Sequence, residues 1–162
     1  MLVLGIDPGI GRCGWGVIEA TNNKFKLVDC GCVETKVKGD IEKRLLQIEV
    51  EIGKVIKKYK PDAFSIEDLF FGSNSTSAFA VGQARGVVLL LAGKNDLEVN
   101  VYNPMEVKLA LTGYGKAEKR QVAQMVKVLL HLEKLPKLDD TTDALAIALT
   151  HAFSSKLSKL TK

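Results

Sequence analysis

The sequence predicts an α/β fold in which a five-stranded mixed β-sheet is flanked by helices on both faces. Three strand-like segments joined by tight turns open the chain, which is typical of an antiparallel meander. After residue 40 the apolar residues recur every three or four positions, and helical segments then alternate with two further strands. This order predicts a sheet that combines the meander with parallel strands and is covered on both sides.

The strands of the meander are predicted over residues 2–7, 13–20 and 24–35. The first strand is short and apolar and ends before a Pro-Gly turn. Asn22 and Asn23 supply the turn between the second and third strands.

The rest of the chain is predicted to alternate helices and strands within one domain. Asp40 is the expected N-cap of an amphipathic helix, and Pro104 is the expected first residue of a short one. The remaining elements are a strand over 63–67, a buried helix over 76–92, a strand over 97–102, a helix around 122–129 and a last helix over 140–153. We expect the domain to span residues 1–155, followed by a basic tail over 156–162 that frays.

The composition is that of an ordinary globular protein with a slight excess of positive charge. The chain has 162 residues, with 23 Lys and Arg against 19 Asp and Glu, so its formal charge is +4. Its hydrophobic fraction of 46% argues against disorder, and the mild basicity favours a polyanionic partner. No apolar run approaches the roughly 18 residues of a membrane span. There is no signal peptide pattern, and three cysteines do not suggest a disulfide framework, so we expect a cytoplasmic protein.

Four acidic residues stand where elements begin or end. Asp7 ends the first strand, Glu67 ends the fourth, and Asp140 and Asp143 share one face at the start of the last helix. Taken singly, Asp7 also fits a common Asp-Pro-Gly turn and Asp140 a common N-cap. Taken together, four carboxylates ionise only if a cation holds them, and oxygen ligands suit Mg²⁺ or Mn²⁺. The matching chemistry is two-metal phosphodiester cleavage.

Several segments of the chain, in order, resemble the bacterial RuvC family of Holliday-junction resolvases. The first is the motif Gly-Ile-Asp-Pro-Gly-Ile-Gly at residues 5–11. The others are Ile66-Glu67, Gly-Gln-Ala-Arg-Gly at 82–86, Gly-Lys-Ala-Glu-Lys at 115–119, Gln121-Val122 and the segment from Asp140 to His151. Because these segments keep the family's order and spacing over nearly the whole chain, the match is highly specific.

This resemblance implies a ribonuclease H-like fold and a Holliday-junction endonuclease. It assigns the catalytic and metal-binding roles to Asp7, Glu67, Asp140 and Asp143, although some relatives carry His at the position of Asp140. It further implies two Mg²⁺ per subunit, with Mn²⁺ as a substitute, and a homodimer that nicks two opposing strands of four-way junction DNA symmetrically, leaving ends that ligase can seal. The branch-migration proteins RuvA and RuvB are the partners that it implies. The family favours a short thymine-rich cleavage site, but base contacts cannot be read from this sequence.

A basic segment and an aromatic pair are the candidate DNA contacts. Between residues 108 and 127 one acidic residue, Glu118, stands against five basic ones: Lys108, Lys116, Lys119, Arg120 and Lys127. Such a density suits phosphate contacts, although a solvated helix face would have the same composition. The resemblance favours DNA contact for Lys108 and Lys119, and it places a base-contacting aromatic at Phe70. The adjacent Phe71 is either a core residue or a second wedge.

Other patterns compete with this interpretation. Residues 9–14 read Gly-x-Gly-x-x-Gly after a strand, which would indicate a dinucleotide site if a helix followed, but strand-forming residues follow. An actin-like ATPase would need two such lobes, and a catalytically silent junction binder would not need the four acids. Cys30 and Cys32 lack a second ligand pair for zinc. His131 and His151 have no companion ligands, and we expect a structural role for His151.

The small residues of the segment at 82–86 suggest a further contact. Gly82, Ala84 and Gly86 lie within a predicted helix and suggest close packing, with a partner subunit as one possibility and Arg85 as a polar member of that contact.

Overall fold

The computed structural model describes residues 1–22, 24–68 and 75–160, with side chains described in these ranges except at 75–77 and 156–160. Five strands and five helices follow one another in the predicted order. The strands are β1 (Leu2–Asp7), β2 (Arg12–Thr21), β3 (Lys24–Glu34), β4 (Ala63–Glu67) and β5 (Val99–Tyr102). The helices are α1 (Ile41–Tyr59), α2 (Ser75–Lys94), α3 (Pro104–Thr112), α4 (Lys119–Leu129) and α5 (Asp139–Leu160).

The five strands form one mixed sheet in the order β3-β2-β1-β4-β5. The first three strands are antiparallel neighbours, as the meander predicts, while β4 pairs in parallel with both β1 and β5. Because β1, β3, β4 and β5 run in the same direction, their carboxyl ends lie at one edge of the sheet. We call this the carboxyl edge, and Asp7 and Glu67 both end their strands there.

Two hydrophobic cores confirm that helices cover both faces of the sheet. Alternate residues of β1 point to opposite sides, so that Val3 packs with α3, α4 and α5, whereas Leu4 and Ile6 pack with α1 and α2. All three side chains are fully buried. Helix α5 carries buried apolar residues on most of its surface between Ala144 and Ala152, which is why it lies across the sheet as the central helix of its face.

Two predicted boundaries are wrong, and one predicted cap makes a different contact. The last helix begins at Asp139 and continues to Leu160, so the expected end at residue 153 is too early. Strand β5 begins at Val99 because the Leu97 N–H closes the end of α2 by donating to the Ala92 carbonyl. Asp40 occupies the N-cap position of α1 without a capping hydrogen bond, and its carboxylate instead pairs with Lys43.

Two further expectations meet the described structure. Pro104 opens α3 as predicted, and Asn103 forms a capping box there with Glu106. No helix in the described ranges is long and apolar enough to cross a membrane.

Candidate active site

The sheet brings the first two acids together. Strands β1 and β4 are parallel neighbours with Ile6 opposite Ile66, so Asp7 and Glu67 are the next residues along adjacent strands. The end of β4 is fixed by its other neighbour as well, because the Asp68 N–H donates to the Tyr102 carbonyl of β5 at 2.8 Å. The two carboxyl groups are close enough that, after burial, the charge of Glu67 is the next largest cause of the raised pKa of Asp7.

A direct backbone contact brings the other two acids to this pair. Gly14 of β2 lies opposite Asp7 of β1, and a Cβ atom at Gly14 would lie 2.0 Å from the carbonyl oxygen of Asp140. A Cβ atom at Gly5 would lie 2.2 Å from the carbonyl oxygen of Ala144, one turn further along α5. Only glycine permits this approach, so α5 rests on the bare backbone of β1 and β2 with its first turns beside Asp7.

This contact also accounts for the apparent dinucleotide fingerprint. Gly9 and Gly11 precede β2 and Gly14 lies within it, so a strand follows this loop in place of the helix that the fingerprint requires. Gly14 instead allows α5 to lie close to the backbone of β2. Sequence reasoning missed this role, although a Gly-Trp-Gly run inside a strand was the available signal.

Burial and mutual repulsion disfavour the ionised forms of Asp7, Glu67 and Asp143. Burial raises the pKa of Asp7 to about 8, and the nearby charges of Glu67, Asp143 and Asp140 add to the effect. Burial also raises the pKa of Glu67 and of Asp143; the charge of Asp143 adds to the shift at Glu67. Added positive charge near these acids would favour their ionised forms.

Lys119 supplies part of that charge. Its Nζ lies 2.7 Å from Asp143 Oδ2 and 3.0 Å from Asp139 Oδ2. Burial lowers the pKa of Lys119, but the hydrogen bonds to Asp143 and Asp139 outweigh it and the net shift is upward. Because the Lys119 side chain is 61% exposed, these ion pairs contribute little to stability. Asp139 was not among the predicted residues, and only its place next to Asp140 could have indicated it.

Arg12 is a second cation that sequence reasoning missed. Its guanidinium lies between two acids, 3.6 Å from Asp140 Oδ2 and 3.8 Å from Glu34 Oε2. The same Asp140 oxygen is buried and has no hydrogen bond. A buried carboxylate oxygen without a donor is an acceptor that a metal ion would satisfy.

The chemistry of these four donors fits a hard divalent cation. All are carboxylates, burial and the neighbouring acids raise the pKa of Asp7, and one buried Asp140 oxygen has no hydrogen bond within the described residues. In the described part of the chain, no three acidic, histidine or cysteine side chains are grouped closely enough to enclose an ion. The arrangement of the side chains is therefore that of a carboxylate cluster partly neutralised by Lys119 and Arg12.

A cleft of about 360 Å³ adjoins the acids and contains one predicted basic residue besides Lys119. Glu67, Asp143, Lys108 and Lys119 line it, along with apolar residues of α3, α4 and α5. Lys116 and Arg120 do not line it. Arg120 is exposed on the first turn of α4, and Lys116 lies in a separate groove beside Tyr114.

The other candidate residues fall outside the cluster. Phe70 and Phe71 lie outside the described residues, so their predicted roles stay predictions. His151 is buried and its Nδ1 lies 2.9 Å from the Tyr102 hydroxyl, which is a structural position. Cys30 and Cys32 are free thiols, and burial raises the pKa of Cys32 to about 11.

Known proteins resemble this chain in sequence and in fold over nearly its whole length. The family model described as crossover junction endodeoxyribonuclease RuvC matches residues 3–151. A protein of that name from Alkaliphilus metalliredigens is 47% identical over 162 residues, which cover 100% of this chain and 99% of the relative. Another from Fusobacterium nucleatum is 48% identical, over 98% of this chain and 84% of the relative.

Solved structures agree with the sequence comparison. The structure of Thermus thermophilus RuvC in complex with Holliday junction substrate matches with a TM-score of 0.93 and 38% identity, covering 98% of this chain and 96% of that one. The yeast mitochondrial Holliday junction resolvase Ydc2 matches with a TM-score of 0.69 at 12% identity, which shows a common fold. The five-stranded mixed sheet is therefore the ribonuclease H-like fold of the resolvases.

Proposed function

Since the chain belongs to the RuvC family of crossover junction endodeoxyribonucleases, we propose that it resolves Holliday junctions by nicking two opposing strands symmetrically. It would act in homologous recombination and DNA repair in the cytoplasm and leave ends that ligase can seal. The observation that supports this proposal most is the proximity of Glu67, Asp140 and Asp143 to Asp7 at the carboxyl edge. The nucleases of this family are metal-dependent.

We propose that these four carboxylates hold two Mg²⁺ ions, or Mn²⁺ in their place. When bound, such ions supply an activated water and stabilise the leaving oxygen of the phosphodiester. The glycine contact fixes the separation between the β1 acid and the α5 acids. Lys119 holds Asp143 in the cleft and lies where a phosphate oxygen of the DNA would enter, so its ammonium group can pair with that phosphate.

The basic residues of α3 and α4 are the proposed DNA-binding surface. Lys108 lines the cleft and forms no ion pair with a described residue, so its charge is available to a phosphate. Lys116 and Arg120 extend the positive surface outward from the cleft, since both are exposed. We assign Lys108 and Lys119 to the scissile region and the other two to the flanking backbone.

The experiment that tests the proposed function is cleavage of a synthetic four-way junction in Mg²⁺. We expect paired nicks at symmetric positions on opposing strands, and products that ligase seals. A linear duplex of the same sequence is the control and should remain uncut. Equal cutting of duplex and junction, or unpaired nicks, would contradict resolution as the activity.

Phe70 is proposed to stack on an unpaired base, a role that rests on the family resemblance alone. We expect Phe70→Ala to retain junction affinity within a few-fold and to lose most of its turnover on intact junctions. A junction with unpaired bases at its centre should be cut nearly as fast by the variant as by the wild type. Unchanged turnover on the intact junction would remove Phe70 from the mechanism.

A homodimer is also proposed, and α2 presents a surface suited to it. Phe79, Gly86 and Leu90 lie on one side of this helix at helical spacing, and all three are exposed, with Phe79 at 71% and Leu90 at 56%. A Cβ atom at Gly86 would touch nothing within 4 Å, so another helix can approach closely there. Ala84 is closely packed as predicted, but within its own subunit, because it points inward and is fully buried.

We expect Leu90→Glu to convert the dimer to a monomer in sedimentation velocity experiments, with little change in the thermal unfolding of the fold itself. Leu109→Glu on α3 is the matched control, because Leu109 is also 56% exposed. A Leu90→Glu protein that stays dimeric would place the interface elsewhere. RuvA and RuvB are the further proposed partners, and a change in cutting rate on their addition would measure that contact.

A further inference from the structure

The loop between β3 and α1 lies beside residues 8–11, which follow Asp7. Strand β3 runs parallel to β1, so its carboxyl end reaches the carboxyl edge. The Thr35 N–H donates to the Gly11 carbonyl at 3.0 Å, and the Thr35 hydroxyl donates to the Ile10 carbonyl. These bonds attach residues 35–39, which we call the β3–α1 loop, to residues 8–11.

Further hydrogen bonds, from α1 and within the loop, brace the β3–α1 loop. Arg44 of α1 donates from Nε to the Thr35 hydroxyl at 2.9 Å and lies 3.5 Å from the Val37 carbonyl through Nη1. The Gly39 N–H donates to the Lys36 carbonyl at 3.0 Å. A braced loop presents its side chains at little entropic cost on binding.

The side chains that this loop presents are basic and apolar. Lys36 and Lys38 are exposed, and within the described ranges neither takes part in an ion pair. Val37 between them is 84% exposed, the highest exposure among the large apolar side chains described. Two unpaired lysines suit phosphate oxygens, and the valine suits the apolar edge of a deoxyribose.

The β3–α1 loop and the Lys108–Lys127 segment lie on opposite sides of the acids. Helices α3 and α4 cover the α5 face of the sheet near β4 and β5, whereas the loop continues from β3 at the other end of the strand order. We propose that Lys36 and Lys38 form a second DNA-binding site that holds the backbone on the β3 side of the scissile phosphate. This inference rests on the proposed function, because it takes DNA as the ligand.

The test removes both charges and measures binding as a function of salt. Junction affinity of Lys36→Ala/Lys38→Ala is compared with wild type without divalent cation, so that the DNA stays uncut. The slope of log K against log salt is negative, and each lost phosphate contact makes it less steep by about 0.9. We therefore expect the affinity deficit of the variant to shrink about tenfold between 50 mM and 200 mM salt. Thermal unfolding should be unchanged, since both side chains are exposed and unpaired.

Lys24→Ala/Lys26→Ala is the matched control. These two lysines are exposed at the start of β3, at the edge of the sheet opposite the β3–α1 loop. The control should keep the wild-type salt slope. A loop variant with the wild-type slope, or a control that loses as much as the loop variant, would overturn the second site. Failure of the proposed function would show separately, as a wild-type protein that does not cut junctions in Mg²⁺.

Discussion

Asp7→Asn is expected to lower the junction cutting rate by more than about a thousandfold, because it removes the central carboxylate of the cluster that would hold the metal ions. Junction affinity should stay within a few-fold of wild type, since the proposed phosphate contacts lie on other residues. The measurement is single-turnover cleavage in saturating Mg²⁺ beside a binding titration without it. Full cutting by the variant would remove the two-metal assignment.

The same substitution is expected to stabilise the protein in the absence of divalent cations. The pKa of Asp7 is raised from 3.8 to about 8, so the folded protein retains a proton that the unfolded chain has already lost. The contribution of Asp7 to folding stability therefore falls as the pH rises from about 4 to 8, and stays unfavourable above that range. Asparagine carries no charge and avoids this loss.

We expect Asp7→Asn to gain on the order of 2 kcal/mol above pH 8, or roughly 4 to 8 °C in Tm, and nothing below about pH 4. Thermal unfolding in EDTA at the two pH values measures the gain. Glu19→Gln is the control, because Glu19 is exposed on β2 at the other end of the β1 pairing. A gain of equal size at both pH values would show that burial of charge is not its cause.

Gly14→Ala is expected to lose both stability and activity. The added Cβ would meet the Asp140 carbonyl oxygen at 2.0 Å, and because that oxygen is backbone it cannot rotate aside. Helix α5 must shift as a body, at a cost of about 1 to 3 kcal/mol or more. The shift carries Asp140 and Asp143 away from Asp7, and a displacement near 1 Å is enough to lower turnover roughly a hundredfold.

Gly93→Ala is the control for Gly14→Ala and should have the opposite effect on stability. A Cβ atom at Gly93 meets nothing within 4 Å, and the residue lies in α2, where alanine favours the helix by about 0.5 to 1 kcal/mol. Chemical denaturation and junction cleavage are measured on both variants. Wild-type turnover by Gly14→Ala would show that the position of α5 on β2 does not determine the geometry of the acids.

The sequence was sufficient for the architecture because each element carries its own local pattern. Alternating burial in β1 and the three-to-four spacing of α1 both follow from residues close together in the chain. Three of the four acids could be placed at element ends by the same reasoning, and Asp143 by helical spacing from Asp140. Their convergence required knowledge of which strands are neighbours, and here the family resemblance supplied what the local pattern lacked.

The features that the sequence did not reveal depend on contacts between distant segments. The contact of Gly14 with Asp140 joins residues far apart in the chain, and a glycine within a strand has several possible explanations. Arg12 approaches Asp140 for the same reason, because α5 lies over β2. The start of β5 was missed because a hydrogen bond at the end of α2, rather than propensity, sets it.

The placement of two acids on α5 has a consequence for the time at which the protein becomes a nuclease. During synthesis β1 and β4 leave the ribosome early, but Asp140 and Asp143 emerge only after the whole sheet, and they reach Asp7 only when α5 has docked on β1 and β2. A nascent or truncated chain therefore carries Asp7 and Glu67 without two of the four proposed metal ligands. If the proposed roles hold, we expect such an incomplete copy to be inactive on DNA.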